Sequence, residues 1–129
     1  MNAGDTLEPR DYTVTRDDLV AYADASGDQN PIHQDDDVAR SVGLPGVIAH
    51  GMFTMALAAR AVSDWTGAAD VVELGCKFTR PVVVPAEGTV TVTIGGTVKS
   101  VTDGLATLAL EVTCDGTKVL GMPKAVVRA

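Results

Sequence analysis

Between Thr15 and Ser26 the apolar residues Leu19, Val20, Tyr22 and Ala23 recur at helical spacing. Thr15 stands three residues before Asp18, the spacing of a capping box, in which hydroxyl and carboxylate each accept a backbone N–H of the first turn. Gly27 suits the residue that ends such a helix. A second, short helix is predicted over 36–42, with acids in its first turn and Gly43 behind it. The pair Pro45-Gly46 then makes a turn. From about 51 to 65 runs the strongest helical pattern, with Met52, Phe53, Met55, Leu57, Val62, Trp65 and intervening alanines on nearly every side. A helix apolar all round is expected to be buried, and Gly67 closes it.

After residue 70 the period changes from 3.6 to 2. Val72, Leu74, Cys76 and Phe78 alternate with Glu73, Gly75, Lys77 and Thr79. Three more strand-like runs follow: Val90, Val92 and Ile94 with threonines between them, then Leu108, Leu110 and Val112, then 118–127. Asp103-Gly104 and Asp115-Gly116 are hairpin signals, which predict that the last three strands form an antiparallel meander. Gly95-Gly96 predicts a bulge or strong bend in one long strand. With no internal repeat and no linker, residues 1–129 read as one α+β domain. A helix buried on all sides and followed by a long antiparallel sheet requires that the sheet curl around it. The open edge of such a sheet invites pairing with a second subunit.

Composition narrows this picture. Hydrophobic residues make up 46% and charged residues 21%, the balance of a globular protein. One Trp, two Tyr and two Phe leave the core to Val, Leu, Ala and Ile. The formal charge of −7 and the absence of a basic stripe argue against nucleic acid as a partner, and an acidic surface repels anionic lipid. No apolar stretch is long enough to span a bilayer. A ligand bearing phosphates would need a local basic spot, for which Lys77, Arg80, Lys99 and Lys124 are candidates. Cys76 and Cys114, in strand-like runs with no signal peptide before them, read as buried, reduced thiols in a cytoplasmic protein.

The chemistry concentrates in Ser26-Gly27-Asp28-Gln29-Asn30-Pro31-Ile32-His33. A carboxylate, an amide and an imidazole lie within six positions, on backbone that Gly and Pro keep out of regular helix. Such a group is an acid/base kit on a loop. The other of the chain's two histidines, His50, precedes Gly51 at the head of the apolar helix. A backbone N–H at that position joins an unpaired donor to the positive end of the helix dipole, and a glycine lets a ligand come close. Each residue also has a plainer reading. Asp28 can cap a turn, Asn30 can be a turn residue before Pro31, and His33 can be a satisfied loop histidine. His50 can orient the helix start, and Met52 can be core. The run Asp35-Asp36-Asp37 reads as a solvated helix start. A metal site built from His33, His50 and an acid is conceivable, but nothing has ligand spacing on a helix face.

Tyr22 to His33 resembles the signature of the MaoC-like (R)-specific enoyl-CoA hydratases, and Ile48-Ala49-His50-Gly51-Met52 resembles their second signature. The similarity extends through Phe78-Thr79-Arg80-Pro81-Val82 and Gly121-Met122. Within that family the chain is most similar to the short, single-hot-dog actinobacterial (3R)-hydroxyacyl-carrier-protein dehydratases, catalytic B-type subunits. The resemblance implies a hot-dog fold, a long antiparallel sheet wrapped around a central helix. It implies reversible syn hydration of a trans-2-enoyl thioester, carried on CoA or a carrier protein, to the (R)-3-hydroxyacyl thioester. Asp28 and His33 are then the catalytic pair, the Gly51 N–H binds the thioester oxygen, and Asn30 supports the pair. Ile32, His50 and Met52 are expected to touch substrate. No metal or organic cofactor is implied. A homodimer is expected, or a heterodimer with a related hot-dog subunit. An acyl thioesterase on the same fold and a non-catalytic partner subunit remain as alternatives.

Overall fold

The computed structural model describes residues 1–129. In chain order it consists of β1 (Thr6–Val14), α1 (Arg16–Ser26), a 3₁₀ turn (Pro31–His33), α2 (Asp36–Ser41), α3 (Gly51–Thr66), β2 (Val71–Phe78), β3 (Val90–Thr102), β4 (Leu105–Cys114), β5 (Thr117–Lys118) and β6 (Leu120–Arg128). All strands belong to one antiparallel sheet in the order β1-β3-β4-β6-β2, with β5 paired to β4. α3 touches β1 and β3 at one end of that order and β2 at the other. The sheet therefore curls around the helix, which is the hot-dog arrangement.

Local signals account for most element boundaries. The Thr15 hydroxyl accepts the Asp18 N–H at 3.2 Å and the Asp18 carboxylate accepts the Thr15 N–H at 2.9 Å, so the capping box is complete. Gly27 and Gly67 end α1 and α3 in the left-handed region, at φ 81° and 64°. Asp103-Gly104 and Asp115-Gly116 both have two successive positive φ values, as type I′ turns require. The meander β3-β4-β6 forms as expected, although the last run divides into β5 and β6 around Val119.

Two expectations are corrected. Gly95 and Gly96 pair in register with Glu111 and Leu110, so β3 carries no bulge there. The irregularity lies in the neighbouring strand, where Glu8 and Pro9 fall between the pairs Leu7–Gly96 and Arg10–Ile94. Gly96 serves close approach instead: a Cβ there would collide with the Ala109 carbonyl. Nor is α3 covered on all sides. Met52, Ala56, Arg60 and Asp64 form an exposed stripe at four-residue spacing, while Thr54, Ala58, Ala61 and Val62 are buried. The small alanines on the inner face let the helix settle on a core of Val92, Ile94, Val98, Leu108 and Val112 from β3 and β4. Burial of each such aliphatic side chain stabilises the fold by about 1.5–3 kcal/mol.

The segment 47–50, just before α3, is knitted into this core. Its Ala49 N–H donates to Val82 O at 2.9 Å, and Val47 O accepts the Val84 N–H at 3.0 Å. Its other side receives the loop, because Ile48 N–H donates to Ile32 O at 3.2 Å. Asp36 completes the joint. One carboxylate oxygen accepts the Val47 N–H at 2.9 Å and the Arg16 guanidinium at 2.8 Å, and Arg16 Nε–H reaches Val84 O at 2.7 Å. The Val47 N–H, followed by Arg16, holds the Asp36 carboxyl below its ordinary value. The acidic run is therefore not uniformly solvated. Asp35 caps α2, Asp37 faces water beside Arg40, and Asp36 ties three segments together.

Candidate active site

The loop after α1 is shaped by its own polar side chains. Ser26 Oγ accepts the Asp28 N–H at 3.2 Å, and an Asp28 carboxylate oxygen accepts the Asn30 N–H at 3.2 Å. The Asn30 side chain then accepts the Ile32 N–H at 3.2 Å and so caps the 3₁₀ turn that carries His33. Asn30 thus meets Asp28 through its backbone, and its side-chain oxygen is spent on the turn.

His33 is buried, with Nδ1 2.7 Å from Ile48 O. A carbonyl only accepts, so Nδ1 carries a hydrogen, which in the neutral ring leaves the lone pair on Nε2. Nε2 has no hydrogen-bond partner in the chain and is not sealed from solvent. His50 lies beside it, with ring centroids 3.8 Å apart and planes 24° from parallel. His50 Nε2 is 3.1 Å from the Asp28 carbonyl oxygen, and by the same reasoning it is the donor. Asp28, His33 and His50 bring side-chain ligand atoms within 4.8 Å of one another. That set does not fit a cation. Stacked rings hold their lone pairs in nearly parallel planes, which cannot converge on one ion, and two of the four ring nitrogens are bound to carbonyls.

A cavity of about 600 Å³ opens at this point. Asp28 and His50 line it with Gly51, the first residue of α3, whose N–H belongs to the donors that a helix leaves unpaired. Met52 is also in the wall and is 56% exposed. Ile32 and Asn30 are not in the lining, and His33 sits behind the wall, stacked on His50. Long-range packing adds Leu44 and Leu120, which no motif marked, and brings Tyr22, Phe78, Thr79 and Arg80 from their separate motifs into the same wall. The Phe78 ring rests against Gly51, where a Cβ would lie 2.9 Å from two ring carbons. Of the four cations considered for a phosphate, only Arg80 lines the cavity, and Lys124 is paired with Glu73 at 3.3 Å. Arg80 makes no ion pair.

Residues 2–115 match the family described as MaoC like domain, and the chain belongs to that family. A 3-hydroxyacyl-thioester dehydratase X of Mycobacterium tuberculosis is 38% identical over 73 residues, covering 57% of this chain and 25% of that protein. A mitochondrial 3-hydroxyacyl-[acyl-carrier-protein] dehydratase of Arabidopsis thaliana is 33% identical over 87 residues, covering 67% of this chain and 52% of that protein. A solved MaoC-like dehydratase superposes with a TM-score of 0.94 at 36% identity, over 99% of this chain and 40% of that one. The matches thus span about half or less of these relatives' own length. No helix is long and apolar enough to cross a membrane.

Proposed function

We propose that the chain is an (R)-specific hydratase/dehydratase that interconverts trans-2-enoyl and (R)-3-hydroxyacyl thioesters. The support is one juxtaposition: Asp28 lines the cavity beside the N-terminus of α3, and His33, stacked behind His50 with its Nε2 unpartnered, brings a ring nitrogen within 4.8 Å of the Asp28 carboxylate. In hydration, His33 Nε2 accepts a proton from water as its oxygen attacks C3, and the acid/base pair returns a proton to C2 on the same face. Net addition of H and OH is then syn, and no electrons are exchanged with any other reagent. Negative charge on the thioester oxygen is met by the Gly51 N–H and the helix dipole. Dehydration is the reverse. A largely apolar cavity accepts the acyl chain, and Arg80, the free cation in its lining, suits the phosphate of a CoA or carrier-protein arm. Met52 and His50 touch the substrate from the wall, while Asn30 and Ile32 act from behind it through the loop.

The assembly proposed is a dimer, with a second copy or with a related hot-dog subunit. β2 ends the sheet and exposes Val71, Val72 and Phe78, a combination that favours edge pairing. Two free cysteines fit a reducing, cytoplasmic setting.

The test mixes purified protein with crotonyl-CoA, a longer enoyl-CoA and a carrier-protein thioester, and follows loss of the conjugated absorbance. Turnover to the (R)-alcohol is expected. Asp28→Asn and His33→Ala should each lower kcat by about 10²- to 10⁴-fold while circular dichroism is unchanged. Absence of turnover with every substrate, alone and with a partner subunit, refutes the proposal. Release of free thiol without hydration assigns thioester hydrolysis instead.

A further inference from the structure

His50 occupies the N-cap of α3 yet its side chain makes no capping hydrogen bond. Ser, Thr, Asp or Asn would serve a helix start better. The ring is instead turned inward and is 2% exposed, with Tyr22 packed against it at 4.8 Å between centroids. Its Nδ1 is buried and has no partner. A buried, unsatisfied acceptor is a destabilising feature, so stability alone does not account for an imidazole at this position.

Besides Tyr22, the His50 ring touches the two residues that carry the proposed chemistry. Its Nε2–H bonds the Asp28 carbonyl across 22 residues. The other hydrogen bonds of Asp28, to Ser26 and Asn30, stay within the loop. His50 therefore supplies the one hydrogen bond that fastens Asp28 to the body of the protein. The same ring lies flat on His33, whose Nδ1–H is held two residues earlier in the same segment, at Ile48 O.

We propose that His50 is a positioning residue that sets the Asp28–His33 separation and the plane of the His33 ring. The proposal rests on the hydratase/dehydratase reading. His50 acts through both groups at once: the hydrogen bond fixes the loop backbone at Asp28, and the stack fixes the imidazole. As the residue before Gly51, it also holds this pair in register with the helix start.

Two variants separate the functions of the ring. His50→Phe keeps an aromatic face for His33 but removes the donor to Asp28 O. His50→Gln places an amide N–H near the position of Nε2 without the stack. The expected result for His50→Phe is a loss of kcat of about 10²-fold, the effect of misplacing a reacting group by roughly 1 Å, with KM and melting temperature little changed. His50→Gln should recover a substantial part of kcat. Unchanged kcat in His50→Phe overturns the proposal, as does a loss confined to KM, which would make His50 only a wall of the substrate cavity. Equal loss in both variants that tracks melting temperature also overturns it. A readout independent of turnover comes from long-range ¹H–¹⁵N spectra of the wild type, which contains two histidines. One ring should carry hydrogen at Nδ1 (His33) and the other at Nε2 (His50). Hydrogen at Nδ1 of His50 would remove the link to Asp28 even in a protein with full activity. Correct tautomers in a protein without turnover would refute the proposed reaction while leaving the His50–Asp28 link intact.

Discussion

Gly51→Ala is the sharpest single perturbation of the helix start. A Cβ at this position would lie 2.9 Å from Phe78 Cδ1 and Cε1 and 3.3 Å from Cζ. Carbon atoms rest at about 3.5–4.0 Å, so the ring must retreat by roughly 0.6–1 Å. Within one chain it can do so, because Phe78 ends an edge strand and is 58% exposed. Gly51 is helical, so alanine adds no backbone strain. The stability cost is therefore small, about 1 kcal/mol or less once the higher helix propensity of alanine is counted. Activity should respond differently. Gly51 lines the cavity, so the added methyl stands beside the N–H proposed to receive the thioester oxygen, and losing one such donor costs roughly 3 kcal/mol. The expected outcome is a fall in kcat/KM of about 10²-fold with crotonyl-CoA and a melting temperature within a few degrees of wild type. The double variant Gly51→Ala/Phe78→Ala separates the two causes. It relieves the contact with the ring, so persistence of the loss assigns it to the blocked N–H. Wild-type kcat/KM in Gly51→Ala would refute the reasoning about that donor.

Arg80→Glu should raise KM for an enoyl-CoA about ten-fold and leave KM for the N-acetylcysteamine thioester, which has no phosphate, unchanged; equal effects on both would exclude a phosphate contact. Asp36→Asn should destabilise the protein at neutral pH. Because folding lowers the Asp36 pKa, the wild-type advantage is fully present above the ordinary value of 3.8 and is lost as pH falls through the depressed one. The gap between the urea midpoints of the two proteins, measured from pH 7 to pH 3, should therefore narrow toward the acid end. Gly96→Ala should lower the melting temperature by about 10 °C or more, because its Cβ would meet the Ala109 carbonyl and, at 3.1 Å, Leu110 Cα, and backbone atoms cannot step aside. A melting temperature close to wild type would show that β3 and β4 can separate there.

Helices and hairpins were legible from the chain because their signals are local: the Thr15/Asp18 box, glycines behind α1 and α3, and Asp-Gly at two turns. β1 was not legible. In Thr6–Val14 only Leu7 and Val14 are buried, and Pro9 with its neighbour breaks the register, so no period-2 pattern marks it. The double glycine was visible but its purpose was not, since the carbonyl that requires Gly96 belongs to another strand. The apolar stripe of α3 suggested complete burial because alanine is counted as apolar whether or not anything covers it, and Ala56 is exposed. At the site, the order of residues in the loop placed Asp28 and His33 near each other. Phe78 and Arg80 reach Gly51 only through the curl of the sheet, which brings β2 back to the start of α3. The burden on Asp36 was hidden for the same reason: its partners at Arg16 and Val47 are 20 and 11 positions away.

Burial pushes both thiols above their ordinary pKa, with Asp115 adding to the effect at Cys114. The reactive thiolate is correspondingly scarce at neutral pH. The two sulfurs sit at different depths, half-buried on the edge strand β2 for Cys76 and buried on the inner strand β4 for Cys114. Each is therefore a clock for a different event. Labelling at Cys76 times the peeling of one strand from the rim of the sheet, while labelling at Cys114 waits for the end of β4 to part from β3 and β5. The chain carries its own pair of unfolding reporters, and no engineered probe is required to read them.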